Sequence, residues 1–389
     1  MKRKTVCIQS KPSWQQRSGH EPDEMMEMEK QTDFQEAQEN PGTAEEELQS
    51  RAVTAAEGCG EPEKNSVVKM VGKIGSRLIS QGSRMLPHED GETEKSGARE
   101  IVDRISGYIL SREDEEPEEF TGMRKKKLEE YLKGYGTKDF YEVRCYEETG
   151  STNEDIKIAA AEGAEEGLVI TADEQTAGKG RSGRSWKTPR GESAAFSILL
   201  KPELPPEQIS AVTLVMGLSL AQTVKDYLGL EAAIKWPNDV VIGGKKIGGI
   251  LTEAHTTEGK IDWIVVGTGI NISNQAFDPA YADHATSLSH ELNGEKLSCE
   301  QIVAAVLARF LWNYRIFLMT GDLTGIRNAY NELLVSRGKE VRIEDPAGAY
   351  TAVSQGIDPS GALIVTLEDG SEQKIAYGEV SVRGLYGYV

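Results

Sequence analysis

The stretch Ile234-Lys235-Trp236-Pro237-Asn238-Asp239, followed by Lys245-Lys246-Ile247-Gly248-Gly249-Ile250-Leu251, decides how the chain is read. Pro237 cannot donate to a ladder, so a short strand ends there. Asn238 and Asp239 then fall at a turn, which is the commonest use of that dipeptide. The lysine pair opens a second strand that carries glycines. Glycine inside a strand marks a close approach by a ligand or another backbone. This predicts short antiparallel strands with polar groups at their ends.

Working outward, the apolar run Trp263 to Val266 leads into Gly267-Thr268-Gly269-Ile270-Asn271. Further strands are expected at 141–146, 168–172, 194–200 and 246–253. Helices are expected at 153–162, 206–228, 300–319 and 323–334. Together these give an α+β class with mostly antiparallel strands. Past Gly338 the texture changes to short alternating runs split by Pro346-Ala347-Gly348, Pro359-Ser360-Gly361 and Asp369-Gly370. Close strand spacing with glycine turns predicts a small barrel over 338–389.

Residues 1–122 read differently. They are rich in Glu, Gln, Ser and Gly, with acidic clusters such as Glu113-Asp114-Glu115-Glu116. That composition predicts a largely disordered extension without a compact helix-turn-helix. Two segments, 67–79 and 98–110, have helical apolar spacing. Near Met123, itself a candidate start, the globular pattern begins. The domains expected are therefore 1–122, 123–337 and 338–389.

The 389-residue chain has a formal net charge of -19. That sign opposes broad binding to nucleic acid or an anionic membrane. Cys7, Cys59, Cys145 and Cys299 are isolated, without metal-ligand spacing, which predicts reduced thiols in the cytoplasm. No segment is expected to span a membrane.

The densest chemical signal is Gln175-Thr176-Ala177-Gly178-Lys179-Gly180-Arg181-Ser182-Gly183-Arg184-Ser185-Trp186. Its glycines let backbone approach a ligand. Lys179, Arg181 and Arg184 can gather phosphate and carboxylate oxygens. A loop this poor in apolar groups is expected to be mobile when empty and to order over an anion. Asn238 can present a donor and an acceptor, Asp239 can hold a metal or an amine, and a lysine at 246 can pair with a carboxylate. Gly150-Ser151-Thr152-Asn153 places a hydroxyl at a helix start. Each signal also has a plain structural use: a solvated basic loop, an Asn-Asp turn, an exposed hairpin lysine, a strand end, a helix cap.

In their order, these motifs resemble the bacterial biotin protein ligases over residues 140–389. The resemblance implies a class II aminoacyl-tRNA-synthetase-like catalytic domain followed by an SH3-like barrel. It implies a two-step reaction: biotin and ATP form biotinyl-5'-AMP, which acylates a lysine of a biotin carboxyl carrier protein. Mg²⁺ would accompany ATP. The biotin contacts implied are Ser151, Thr152, Asn153, Gln175, Lys179, Gly180, Arg181 and Lys246. Nucleotide contacts are Arg184, Trp186, Asn238, Asp239 and Asn271, with Asp239 also the metal candidate. Arg181 and Lys246 are the catalytic candidates. The chain departs from its relatives at Lys179 and Ser182, where arginines are usual, and at Ala194 and Ala195, where bulkier residues are usual. A homodimer is compatible with the resemblance; a nucleic-acid partner is not expected. Competing readings are a ligase for lipoate or octanoate, a non-catalytic biotin-adenylate sensor, and a DNA-binding repressor with vestigial catalysis.

Overall fold

The computed structural model describes residues 123–389 apart from 274–276, 278, 280, 346–347, 377–380 and 385–389. The expectations for residues 1–122 lie outside the described residues.

A helix α1 (Lys125–Gly134) leads into β1 (Glu142–Thr149), α2 (Thr152–Ala161) and β2 (Leu168–Gln175). β1 and β2 pair in parallel, so α2 is a crossover between them. Then come β3 (Ser193–Leu200), α3 (Ile209–Leu228), β4 (Ala232–Lys235), β5 (Asp239–Ile242), β6 (Lys245–Thr257) and β7 (Lys260–Asn271). The sheet order is β1-β2-β3-β7-β6-β5-β4. Every pair other than β1–β2 is antiparallel. The α+β expectation holds, with one parallel pair that local patterning did not reveal.

A short helix α4 (Leu288–Glu291) precedes α5 (Cys299–Thr320) and α6 (Arg327–Leu333). Ser298 Oγ accepts from the Gln301 amide at the start of α5, and Gly321, at φ 72°, ends it. Among the described residues, α5 is long and apolar enough to cross a membrane by length and composition alone. The fold accounts for its apolarity: Val303, Val306, Phe310 and Phe317 are buried in the main core. The C-terminal strands β8 (Glu340–Asp345), β9 (Gly348–Ile357), β10 (Leu363–Thr366), β11 (Glu372–Ile375) and β12 (Ser381–Gly384) form an antiparallel sheet in the order β11-β10-β9-β8-β12. Val341, Ile343, Leu363 and Val365 join the same core as the helices.

Side-chain alternation sets the position of the cleft. On β7, Ile264, Val266 and Ile270 face the main core with α3 and α5. Val265 faces the other way, into a small cluster with Ile156, Ile170 and Leu199 beside α2. Further along that second face come Gly267 and Gly269, with no side chains. On β3, Phe196 and Ile198 belong to the main core, while Leu199 serves the α2 cluster and is followed inward by the small residues Ser197 and Ala195. One end of this face is therefore sealed by α2. The other is left open by small residues.

Two residues of α5 should separate by burial. Phe310, fully buried and stacked on Tyr314, should cost about 3–5 kcal/mol when changed to alanine. Trp312, half exposed, should cost less than about 0.5 kcal/mol. Urea unfolding checks both; equal costs would place α5 differently.

Candidate active site

The open end of the sheet is a cleft lined by Ser151, Thr152, Gln175, Lys179, Gly180, Arg181, Trp186, Asn238 and Lys246, among others. Three segments far apart in sequence thus meet: the start of α2, the glycine-rich loop, and the β5–β6 hairpin.

At the floor the polar groups are linked. Gln175 Oε1 accepts from the Thr152 amide at 3.0 Å and from Thr152 Oγ1 at 3.2 Å, while its Nε2 donates to Thr188 Oγ1 at 3.0 Å. Ser197 Oγ lies 2.7 Å from Thr152 Oγ1 and donates to Asn153 Oδ1 at 2.6 Å. Asn153 Nδ2 donates to Glu253 Oε2 at 2.8 Å. Such a linked, largely shielded network restricts the direction of each amide and hydroxyl. Ser151 sits at the N-cap of α2, yet its side chain makes no capping hydrogen bond. The sequence expectation of a cap is not met, and this buried residue faces the cleft instead.

The glycine-rich loop is a hairpin rather than an open coil. Trp186 N donates to Gly178 O at 2.9 Å, and Gly180 N to Arg184 O at 2.7 Å. A Cβ at residue 178 would stand 2.3 Å from Trp186 O, so only glycine fits. Lys179 Nζ pairs with Glu154 Oε1 at 2.7 Å. Glu154 also receives Lys157, which reaches Glu253 at 2.6 Å. Hydrogen bonds from Lys157 and then Lys179 hold the Glu154 carboxyl below the usual range. The loop is thereby tied, through α2, to the network under the floor.

Trp186 lies across the cleft. A Cβ at residue 269 would fall 2.3 Å from its ring, so Gly269 is what admits the indole. Lys246 Nζ stands 5.5 Å from the ring centroid, within cation–π range. The indole Nε1 is buried without a hydrogen-bond partner.

Lys246 Nζ donates to Asp239 Oδ1 at 2.5 Å, with both side chains largely shielded. A Cβ at residue 249 would come within 2.8 Å of that ammonium, so Gly249 makes room for it. Asp239 is not among the cleft-lining residues; it backs the lysine. Among the described residues, no three His, Cys, Asp or Glu side chains gather as a metal site. Asp239 alone, already held by Lys246, does not fit a resident metal.

The sequence-derived set divides accordingly. Ser151, Thr152, Asn153, Gln175, Lys179, Gly180, Arg181, Trp186, Asn238 and Lys246 line one cleft. Asn271 does not: its Nδ2 donates to Thr286 O at 3.0 Å and to Lys246 O at 3.4 Å, supporting the lysine's backbone. Arg184 is exposed, outside the lining. The two alanine departures separate as well, with Ala194 in the main core and Ala195 on the cleft wall. Sequence reading passed over Glu154 and Ser197. Strand alternation from Ala195 would have found Ser197; nothing local marks Glu154.

Two family models match the chain: the biotin/lipoate A/B protein ligase family over residues 147–271, and the biotin protein ligase C-terminal domain over 337–383. The bifunctional ligase/repressor of Bacillus subtilis is 33% identical over 222 residues, covering 57% of this chain and 68% of that protein. The biotin–[acetyl-CoA-carboxylase] ligase of Paracoccus denitrificans is 31% identical over 242 residues, covering 61% of this chain and 98% of that one. A biotin protein ligase from Aquifex aeolicus, solved with biotin and ATP, superposes with a TM-score of 0.55 at 28% identity, over 62% of this chain and 99% of that one.

The Glu154 pair gives a testable restraint on the loop. Because the folded-state pKa is lowered, the restraint is full above the ordinary glutamate pKa and is lost as pH falls through the lowered value. At neutral pH, Glu154→Gln should speed tryptic nicking inside the loop roughly two- to fivefold, the scale of an exposed ion pair. An unchanged rate would mean that the pair holds nothing.

Proposed function

Because the chain belongs to the biotin protein ligase family, we propose that this cleft activates biotin with ATP and that the residues lining it divide the work as follows. The carboxylate oxygen of biotin attacks the α-phosphorus of ATP and pyrophosphate leaves. The ε-amine of a carrier lysine then attacks the acyl carbon of biotinyl-5'-AMP, and AMP leaves. The observation that carries the residue assignment is the meeting of Lys246, Arg181 and the Thr152–Gln175 floor in one cleft.

The floor binds the ureido ring of biotin. Thr152 and Gln175 are oriented by their own network, so a small polar ring meets fixed groups. Ser151 and Asn153 complete that end. Both reactants of the first step are anions, and their approach is opposed by charge. Lys246, Arg181, Lys179 and the Gly180 backbone supply positive potential where the carboxylate and α-phosphate converge. Trp186 and Asn238 receive the nucleotide side. Arg184 and Asn271 act from outside the lining, Asn271 by holding the Lys246 backbone.

Mg²⁺ belongs to this reading as a companion of the ATP phosphates, since magnesium is held by substrate phosphates and few protein carboxylates. The adenylate is a mixed anhydride that water destroys, and the loop over it excludes water. We assign no protein general base to the second step.

Residues 123–337 form the catalytic domain and 338–389 the C-terminal SH3-like domain, a division that the two family matches support. The carrier partner is a biotin carboxyl carrier protein or domain. A cytoplasmic location belongs to the same reading, supported by the isolated spacing of the four cysteines. The acidic clusters in 1–122 favour a ligase without DNA binding. A homodimer is compatible with the same reading.

Incubation with ATP, Mg²⁺, labelled biotin and a biotin carboxyl carrier domain tests the reading, with lipoate and octanoate as competing acids. Label on the carrier with biotin alone is expected; binding without transfer would leave a sensor. Lys246→Ala should slow pyrophosphate release about 100-fold or more with biotin affinity changed only a few-fold; equal losses would assign it to ground-state binding. Arg181→Ala should slow pyrophosphate release and, when preformed biotinyl-5'-AMP is supplied without carrier, should raise the rate at which AMP appears. An unchanged rate of AMP appearance would remove the loop's shielding role.

A further inference from the structure

The C-terminal sheet reaches the catalytic machinery through one buried side chain. Trp236, 2% exposed, stands between β4 and β5, two residues before the cleft-lining Asn238. Its Nε1 donates to Gly361 O at 3.1 Å, a contact across 125 residues of sequence. A buried indole N–H is stabilised by such a partner, and having one fixes the ring's orientation.

The turn that presents this carbonyl is itself fixed. Asp358 Oδ1 accepts from Ser360 N at 2.9 Å, Ser360 Oγ at 2.7 Å and Ala362 N at 3.1 Å. Asp358 Oδ2 pairs with Lys374 on β11 at 2.8 Å. Leu323 N donates to Pro359 O at 2.8 Å, tying the turn to the helical body. Gly361 sits at φ 90°, where a Cβ would also stand 3.0 Å from Leu323 Cδ1. Glycine at 361 thus permits the backbone that aims its carbonyl at the indole.

From Trp236 the restraint continues toward the reacting centre. Asn238 O accepts from Ile250 N at 2.9 Å, and Asn238 Nδ2 donates to Ile250 O at 3.2 Å. The next residue, Asp239, holds the Lys246 ammonium. We propose that Trp236 is a positioning residue for adenylation: anchored by the Gly361 carbonyl, it sets the Asn238-Asp239 segment and through it Lys246. The C-terminal sheet then contributes to the first chemical step without touching substrate. The biotin end of the cleft, built on α2 and β2, is outside this path.

The inference rests on the ligase reading, and the experiment separates the two. Full-length wild type, Trp236→Phe, Asp358→Ala and the double variant are compared for pyrophosphate release at saturating biotin and ATP, and for biotin binding by calorimetry. Phenylalanine keeps most of the ring and removes the donor. Trp236→Phe should slow release about tenfold, as small displacements of a reacting group do, with biotin Kd within about twofold. Asp358→Ala should slow release in the same direction. The double variant should be no slower than the slower single one, because both cut one path. Release by Trp236→Phe within about twofold of wild type, a parallel loss of biotin affinity, or multiplicative effects in the double variant would each overturn the proposal. If Trp236→Phe fails to fold, Asp358→Ala decides: slowed release with intact biotin affinity supports the path, and unchanged release overturns it. Wild type that released no pyrophosphate would sink the ligase reading instead.

Discussion

The ammonium of Lys246 rests against the carboxylate of Asp239, and the space it occupies exists because residue 249 has no side chain. A cation at this point is costly unless paired, since burial disfavours charge. The carboxylate makes it tolerable, and the shielding that raises the cost also strengthens the cation's effect on an incoming anion. Much of the surrounding structure serves this arrangement. The β5–β6 hairpin supplies both partners, Asn271 holds the lysine's backbone from β7, and the Trp186 indole lies beside the ammonium.

The cleft follows from a change of side-chain size along one sheet face. Where Leu199 and Val265 project, α2 seals the sheet with an apolar cluster. Where Ser197, Ala195, Gly267 and Gly269 stand, the strands leave room; Asn153 and the Trp186 indole enter part of it, and the loop and hairpin close around the rest. The main core behind, with α3, α5 and the C-terminal sheet, is continuous and apolar. Rigid strands thus present the floor, while the adaptable group is a hairpin loop tied by surface charges.

Much of this was legible in the sequence, for physical reasons. Helix and strand periodicity placed α3, α5, β3 and β7 because each buries a strong apolar face. The glycines after the lysine pair signalled close approach, although what approaches Gly249 is Lys246 of the same chain; Gly267 and Gly269, read as a strand end, turn out to admit Asn153 and Trp186. Other features depend on contacts that no local pattern encodes. The parallel β1–β2 pair needs the α2 crossover to be seen whole. The turn away from the cleft by Asn271 and Arg184 is set by strand ends and loop geometry, and Glu154 gains its part only when Lys179 folds back onto α2. The apolarity of α5 is explained by its packing in the core rather than by a membrane.

The central claim is that Lys246 and Arg181 jointly neutralise the two anions as the acyl phosphate forms. A crystal structure with a non-hydrolysable biotinyl-adenylate analogue tests it most directly. The account predicts Lys246 Nζ and the Arg181 guanidinium each within about 3 Å of an oxygen of the acyl-phosphate linkage, with the ureido ring on Thr152 and Gln175. An analogue bound with its phosphate remote from either cation would contradict it.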